Sequence, residues 1–162
     1  MADSERARTA SRRDVLKIAG ALAAGCAAPS IAVGPAAATP ADVQAAVARV
    51  IGDARLNAGK VKLDIPPLVE NGNTVPCTVT VESPMTAADH VKAIHVFAEL
   101  NSQPYVISVA LGPRAGRASV STRIRLRDTQ NVLAVAELSD GTFWSDRANV
   151  IVTIGACLED VL

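Results

Sequence analysis

From Val61 onward the chain alternates. Val61-Lys62-Leu63-Asp64-Ile65, and then Val75, Cys77, Val79 and Val81 with threonines between them, put apolar side chains on every second position. A period of two sends successive side chains to opposite faces of an extended strand, and no helix can satisfy it. Further extended runs are read at 91–99, 105–111, 118–126, 132–138 and 143–154, the last as two pieces. Turn residues separate them at Ser83-Pro84, 101–104, Gly112-Pro113, 128–131 and Asp140-Gly141, and Glu70-Asn71-Gly72-Asn73 turns between extended segments. Short strands recurring about every ten residues predict an all-β chain folded as an antiparallel sandwich. Aromatic residues are only 2% of the chain, so Val, Ile, Leu and Ala must fill the interior, and 49% hydrophobic residues exclude a disordered chain. One helix precedes the strands: Val43, Ala46, Val47, Val50 and Ile51 follow helical spacing between Pro40 and Ala54, with Thr39 as N-cap and Asn57-Ala58-Gly59 as the closing turn.

The first forty residues differ in kind. Ser11-Arg12-Arg13-Asp14-Val15-Leu16-Lys17 sets paired arginines ahead of an Ala-rich apolar run from Ile18 to Val33, which ends in Pro35-Ala36-Ala37-Ala38. A basic region, an apolar region and a small-residue cleavage site make an export signal, and the twin arginine assigns it to the pathway that carries folded proteins. Gly20, Gly25, Pro29, Gly34 and Pro35 interrupt the run before it reaches the roughly 20 strongly apolar residues of a membrane span. Leu22-Ala23-Ala24-Gly25-Cys26 is a weaker lipoprotein-like pattern, with Ala23 where leucine is usual. The expected division is a twin-arginine signal over 1–38, a sandwich over 39–154 and a C-terminal arm over 155–162. Cleavage after Ala38 removes five of 16 basic and three of 16 acidic residues and leaves 11 and 13, a net charge of −2. The expected destination is the periplasm, with no membrane in the mature form. Cys77 and Cys157 would remain in an oxidising compartment, as a disulfide or as one buried and one reactive thiol.

Ordinary catalytic patterns are lacking. His90 and His95 are the two histidines, and along a strand their odd separation points them to opposite faces, away from a shared metal site. Gly112-Pro113-Arg114-Ala115-Gly116-Arg117 does not have the spacing of a phosphate loop. A formal charge of zero and few stacking aromatics argue against a nucleic-acid partner. Arg123, Arg125 and Arg127 alternate with Ile124 and Leu126, a basic row that Arg114 and Arg117 could extend. Such a row reads first as a solvated outer face and second as a surface for anions or a partner. Around Ile94 and Val96, His95 and Phe97 add apolar surface on the opposite face, more than one core requires, so they are candidates for a partner interface.

Cys77 shares the apolar face of its strand, where a thiol fills space. Cys157 follows the last strand and stands near the chain end, where a thiol can reach outward to separate active sites. Across GKVKLDIP (59–66), ENGNTVP (70–76), SPMTAADHVKAIHVFAE (83–99), LGPRAGRASVSTRIRLRDTQ (111–130), 132–141 and VTIGAC (152–157), the chain resembles the SoxY family, sulfur-carrying subunits of the periplasmic thiosulfate-oxidising system. The resemblance implies an immunoglobulin-like β-sandwich that pairs with a second sandwich subunit, SoxZ, and an arm cysteine, Cys157, that carries the sulfur substrate. It also implies partner enzymes: a cytochrome that conjugates thiosulfate to the cysteine, a hydrolase that releases sulfate, and a dehydrogenase that oxidises the remaining sulfane sulfur. The carrier is thus not an enzyme and needs no cofactor or metal of its own. The family's arm ends Gly-Gly-Cys-Gly-Gly, whereas this chain reads Gly155-Ala156-Cys157-Leu158-Glu159-Asp160-Val161-Leu162. Ala156 and Leu158 lack glycine's backbone freedom, and the acidic tail disfavours a thiolate and repels anions. A structural or regulatory partner of a SoxZ-like protein, with Cys157 carrying nothing, is the second expectation, and a disulfide-linked dimer through Cys157 the third.

Overall fold

The computed structural model describes residues 39–156; the signal over 1–38, Cys157 and Leu158 lie outside the described residues. A helix, α1 (Pro40–Ile51), is followed by nine strands: β1 (Leu56–Ala58), β2 (Val61–Asp64), β3 (Leu68–Asn71), β4 (Val75–Val81), β5 (Val91–Ala98), β6 (Tyr105–Ala110), β7 (Ala118–Ile124), β8 (Gln130–Leu138) and β9 (Phe143–Ile154). The larger sheet runs β1-β9-β8-β5-β6, with β3 also on β9, and the smaller runs β2-β4-β7. The expected β-sandwich with one short N-terminal helix is therefore the fold. Its main ladders are antiparallel, while β1 and β3 pair in parallel with β9.

Alternation builds the core directly. In β4, Val75, Cys77, Val79 and Val81 turn inward and Pro76 and Thr80 outward. Ile94, Val96 and Ala98 of β5 and Val132, Ala134 and Ala136 of β8 face them from the larger sheet. On the outer face of the smaller sheet, Thr78 and Ser121 hydroxyls meet at 3.0 Å across the β4–β7 ladder.

The larger sheet is apolar on both faces because α1 covers its outer side. Val43, Ala46 and Val47 pack there on Phe97, Leu133, Val135 and Phe143. Thr39 begins the helix with a reciprocal cap: its hydroxyl accepts from the Asp42 N–H at 3.4 Å, and its own N–H donates to Asp42 Oδ2 at 2.7 Å. The Thr39 N–H and, at 2.8 Å, the Thr39 hydroxyl both donate to Asp42 Oδ2 and hold its carboxyl below the usual carboxylate range. Pro40 occupies the first turn, where it costs no helical bond.

Three local expectations are corrected. The helix stops at Ile51, where Gly52 takes φ +60°, and Leu56–Ala58 is a strand; the turn comes later, at Gly59 (φ +105°) and Lys60 (φ +47°). The run 143–154 is one strand, because β8 pairs with it without interruption from Glu137↔Phe143 to Gln130↔Val150. His95 and Phe97 are not offered to a partner. They are 7% and 1% exposed within this chain, where α1 packs on Phe97 and the Tyr105 ring lies against both.

Candidate functional site

Gly72 after β3, Leu126 and Arg127 after β7, and Gly155 and Ala156 after β9 meet at one end of the sandwich. Three backbone bonds link them: Gly72 N–H to the Ile154 carbonyl (2.8 Å), Leu126 N–H to the Gly72 carbonyl (2.8 Å), and Ala156 N–H to the Leu126 carbonyl (3.0 Å). The approach is close enough to require glycine twice. A Cβ on Gly72 would stand 2.2 Å from the Leu126 oxygen, and one on Gly155 would stand 2.0 Å from the Arg127 oxygen. Neither glycine has positive φ, so packing selects them and conformational freedom does not. Ala156 is 6% exposed. Gly155 and Ala156, expected within the arm, are thus held against the body, and Cys157 is the next residue after this root.

A buried amide pair stiffens the loop that forms the root. Asn101 donates through Nδ2 to the Arg125 carbonyl (2.8 Å), and its Oδ1 accepts from the Arg127 N–H (3.1 Å) and from Gln130 Nε2 (3.1 Å). Gln130 in turn accepts the Leu100 N–H at 2.7 Å and donates to the Asp128 carbonyl at 3.1 Å. Thr129 Oγ1 accepts the Val152 N–H at 3.0 Å and ties the loop to β9. Loop and strand end are fixed together, so Ala156 leaves from a rigid base.

The remaining candidates separate. Arg123 lies on the outer face of β7 beside Pro76, exposed Arg125 and half-buried Arg127 continue beyond the strand, and Ile124 and Leu126 are buried behind them. Arg114 and Arg117 precede β7 and sit at its opposite end, so they do not extend this row. Cys77 is 2% exposed, and burial, with Asp64 adding to it, pushes its thiol up to about 11. It packs as the core residue its strand position predicts. His90 precedes β5, while His95 Nδ1 meets the Tyr105 hydroxyl at 2.8 Å and the Ser108 hydroxyl at 3.2 Å. Among the described residues, no group of three or more His, Cys, Asp and Glu side chains could hold a metal. The family resemblance points to Gly155 and Ala156, whereas in the sequence Gly72, Asn101 and Gln130 read only as turn or strand residues. The Asn71-Gly72 pair is the one signal near them, and it announces a turn without the close approach that uses the glycine.

The two-sheet body is shared with superoxide reductases. The neelaredoxin of Ignicoccus hospitalis (19% identity, TM-score 0.52, 58% of this chain and 80% of that one) and a putative superoxide reductase of Thermotoga maritima (18%, 0.51, 61% and 93%) show the fold alone. The sulfur carrier protein SoxY from Chlorobium limicola f. thiosulfatophilum is 28% identical, with a TM-score of 0.60 over 70% of this chain and 98% of that one. No curated protein matches the sequence. A β-sandwich whose last strand ends in a pinned root just before a cysteine is the class of protein this is. The family model for the sulfur oxidation protein SoxY matches residues 47–157, and the chain belongs to that family of sulfur carriers.

Proposed function

We propose that this protein is a periplasmic carrier in thiosulfate oxidation, holding sulfur intermediates covalently on Cys157 while separate enzymes act on them. The single observation that carries the reading is that the family match runs to residue 157 and so includes the cysteine. The root supports it, because Ala156 is hydrogen bonded and buried immediately before that thiol. Cys77, the other cysteine of the mature chain, is unsuited to the role: its buried thiol stays protonated near neutral pH, and the thiolate is the nucleophile.

In this scheme a cytochrome partner joins the Cys157 sulfur to the sulfane sulfur of thiosulfate, forming an S–S bond with loss of one proton and two electrons to the haem chain. A hydrolase partner then adds water and releases sulfate, leaving a persulfide on Cys157. A dehydrogenase partner acts on that sulfur. A SoxZ-like subunit pairs with the sandwich, and the twin-arginine signal delivers the chain, which is cut after Ala38 so that Thr39, the helix N-cap, becomes the first residue.

The tail favours a second reading. Ala156, Leu158 and Glu159 replace three of the family's four glycines, and Asp160 follows them, which fits a non-carrying partner of a SoxZ-like protein. Mass spectrometry of the Cys157 peptide from periplasmic protein separates the two. Added mass that reductant removes is expected of the carrier; a thiol always found unmodified during growth on thiosulfate establishes the non-carrying role.

A further inference from the structure

Arg123 and Arg125 are exposed at the end of β7, and among the described residues neither pairs with a carboxylate. Leu126, between Arg125 and Arg127, is the residue whose carbonyl holds the Ala156 N–H. Ala156 is therefore held at a residue flanked on both sides by arginines of the row. Beyond Ala156 the sequence is Cys157-Leu158-Glu159-Asp160-Val161-Leu162, with two acidic side chains, Glu159 and Asp160. Six residues span at most about 20 Å when extended. Glu159 comes three residues after Ala156, about 10 Å of chain, and Arg123 comes three residues before Leu126, again about 10 Å of strand. Asp128 opposes the row with one charge, leaving +2 over 123–128.

We propose that Arg123, Arg125 and Arg127 form the docking surface of this chain's own segment 157–162, with Glu159 and Asp160 against the guanidinium groups and Cys157 held at their edge. Each exposed carboxylate–guanidinium pair is weak alone, but several act on one tethered segment at high effective concentration. Docking neutralises the acidic groups that would otherwise disfavour the thiolate, so the tail's charges and the arginines form one device. The contact holds whether or not Cys157 carries sulfur, because its readout is the thiol itself.

The test is the rate at which iodoacetamide, an uncharged reagent, labels Cys157 in the full chain at pH 7.5 and low salt, with Cys77 as internal control. Arg123→Ser with Arg125→Ser should slow labelling about threefold at an unchanged melting temperature, and 0.5 M salt should erase the difference. In a chain already carrying Glu159→Gln and Asp160→Asn, the same arginine substitutions should change the rate by less than about 1.5-fold. Reversing both sides, with Arg123→Glu and Arg125→Glu against Glu159→Arg and Asp160→Arg, should return the rate to near the native value. Equal slowing in both tail backgrounds would show that the arginines act on the thiolate without the tail, and overturns the proposal. An arginine effect that appears only with added thiosulfate overturns it as well, since the anion would then be the occupant.

Discussion

Gly155 shows how one residue can be right in position and different in role. Its place in the arm suggests backbone freedom, whereas the structure uses its missing Cβ to bring the chain against the Arg127 carbonyl. Gly155→Ala should therefore destabilise the domain by about 1–3 kcal/mol, as forced overpacking does. Gly112→Ala, with open space around the added methyl, should shift it by less than about 0.5 kcal/mol. Urea midpoints of the two variants decide this, and equal midpoints would remove the close-approach account of Gly155. His95 adds a pH dependence. Burial holds its imidazole below the ordinary value of 6.5, with nearby Glu137 acting in the opposite direction. The unfolded chain binds the proton more readily, so stability is full above pH 6.5 and falls as the pH drops below it toward the folded-state value. Urea midpoints measured from pH 7.5 to 5 should fall more steeply for the native chain than for His95→Gln; parallel profiles would leave His95 without that role.

At the scale of elements, the features legible in the sequence are those with a local cause. Thr39 and Pro40 announce a helix start, and the Val/Thr alternation of β4 announces both the strand and its inward face. The strands that escape such a reading have distant causes. β1 and β3 are three and four residues long, and each exists by parallel pairing to β9, far along the chain, which no local pattern encodes. The polar residues Ser145, Asp146, Arg147 and Asn149 suggest a break in the last strand, yet Asp146 Oδ2 accepts the Leu63 N–H from the other sheet at 2.8 Å, a use of a mid-strand carboxylate visible only after folding. The surplus apolar surface at Phe97 does need a cover, and that cover is α1 of the same chain. Phe97→Ala should cost about 3–5 kcal/mol, the usual range for a buried phenylalanine. Val47→Asp should also lower the melting temperature, by placing a carboxylate on the buried face of the helix. If Val47→Asp left the melting temperature unchanged, α1 would not be what covers this face.

Among the described residues, one end of the sandwich gathers both sheets. The ends of β3, β7 and β9 converge at Gly72, Leu126 and Gly155, and their backbone bonds make a mount that holds the chain as far as Ala156. A mount of this kind suits a carrier, since partner enzymes must find the same thiol in the same place while the body stays outside their clefts. The tail tests whether reach or mounting limits turnover. Changing Ala156, Leu158 and Glu159 to glycine and deleting the last three residues restores the family ending and removes bulk and two side-chain charges together. Ala156 is buried in the root, so Ala156→Gly alone should cost stability by about 1 kcal/mol or more, through lost burial and added chain entropy, while the changes beyond it should not. With cytochrome and hydrolase partners supplied, the restored chain should release sulfate from thiosulfate faster than the native chain, and Cys157→Ser should release none. The chain with only Leu158, Glu159 and the last three residues altered should match the fully restored one, because the mount ends at Ala156. Equal rates for native and restored tails would mean that the glycines are dispensable here, and sulfate release surviving Cys157→Ser would remove the carrier assignment itself.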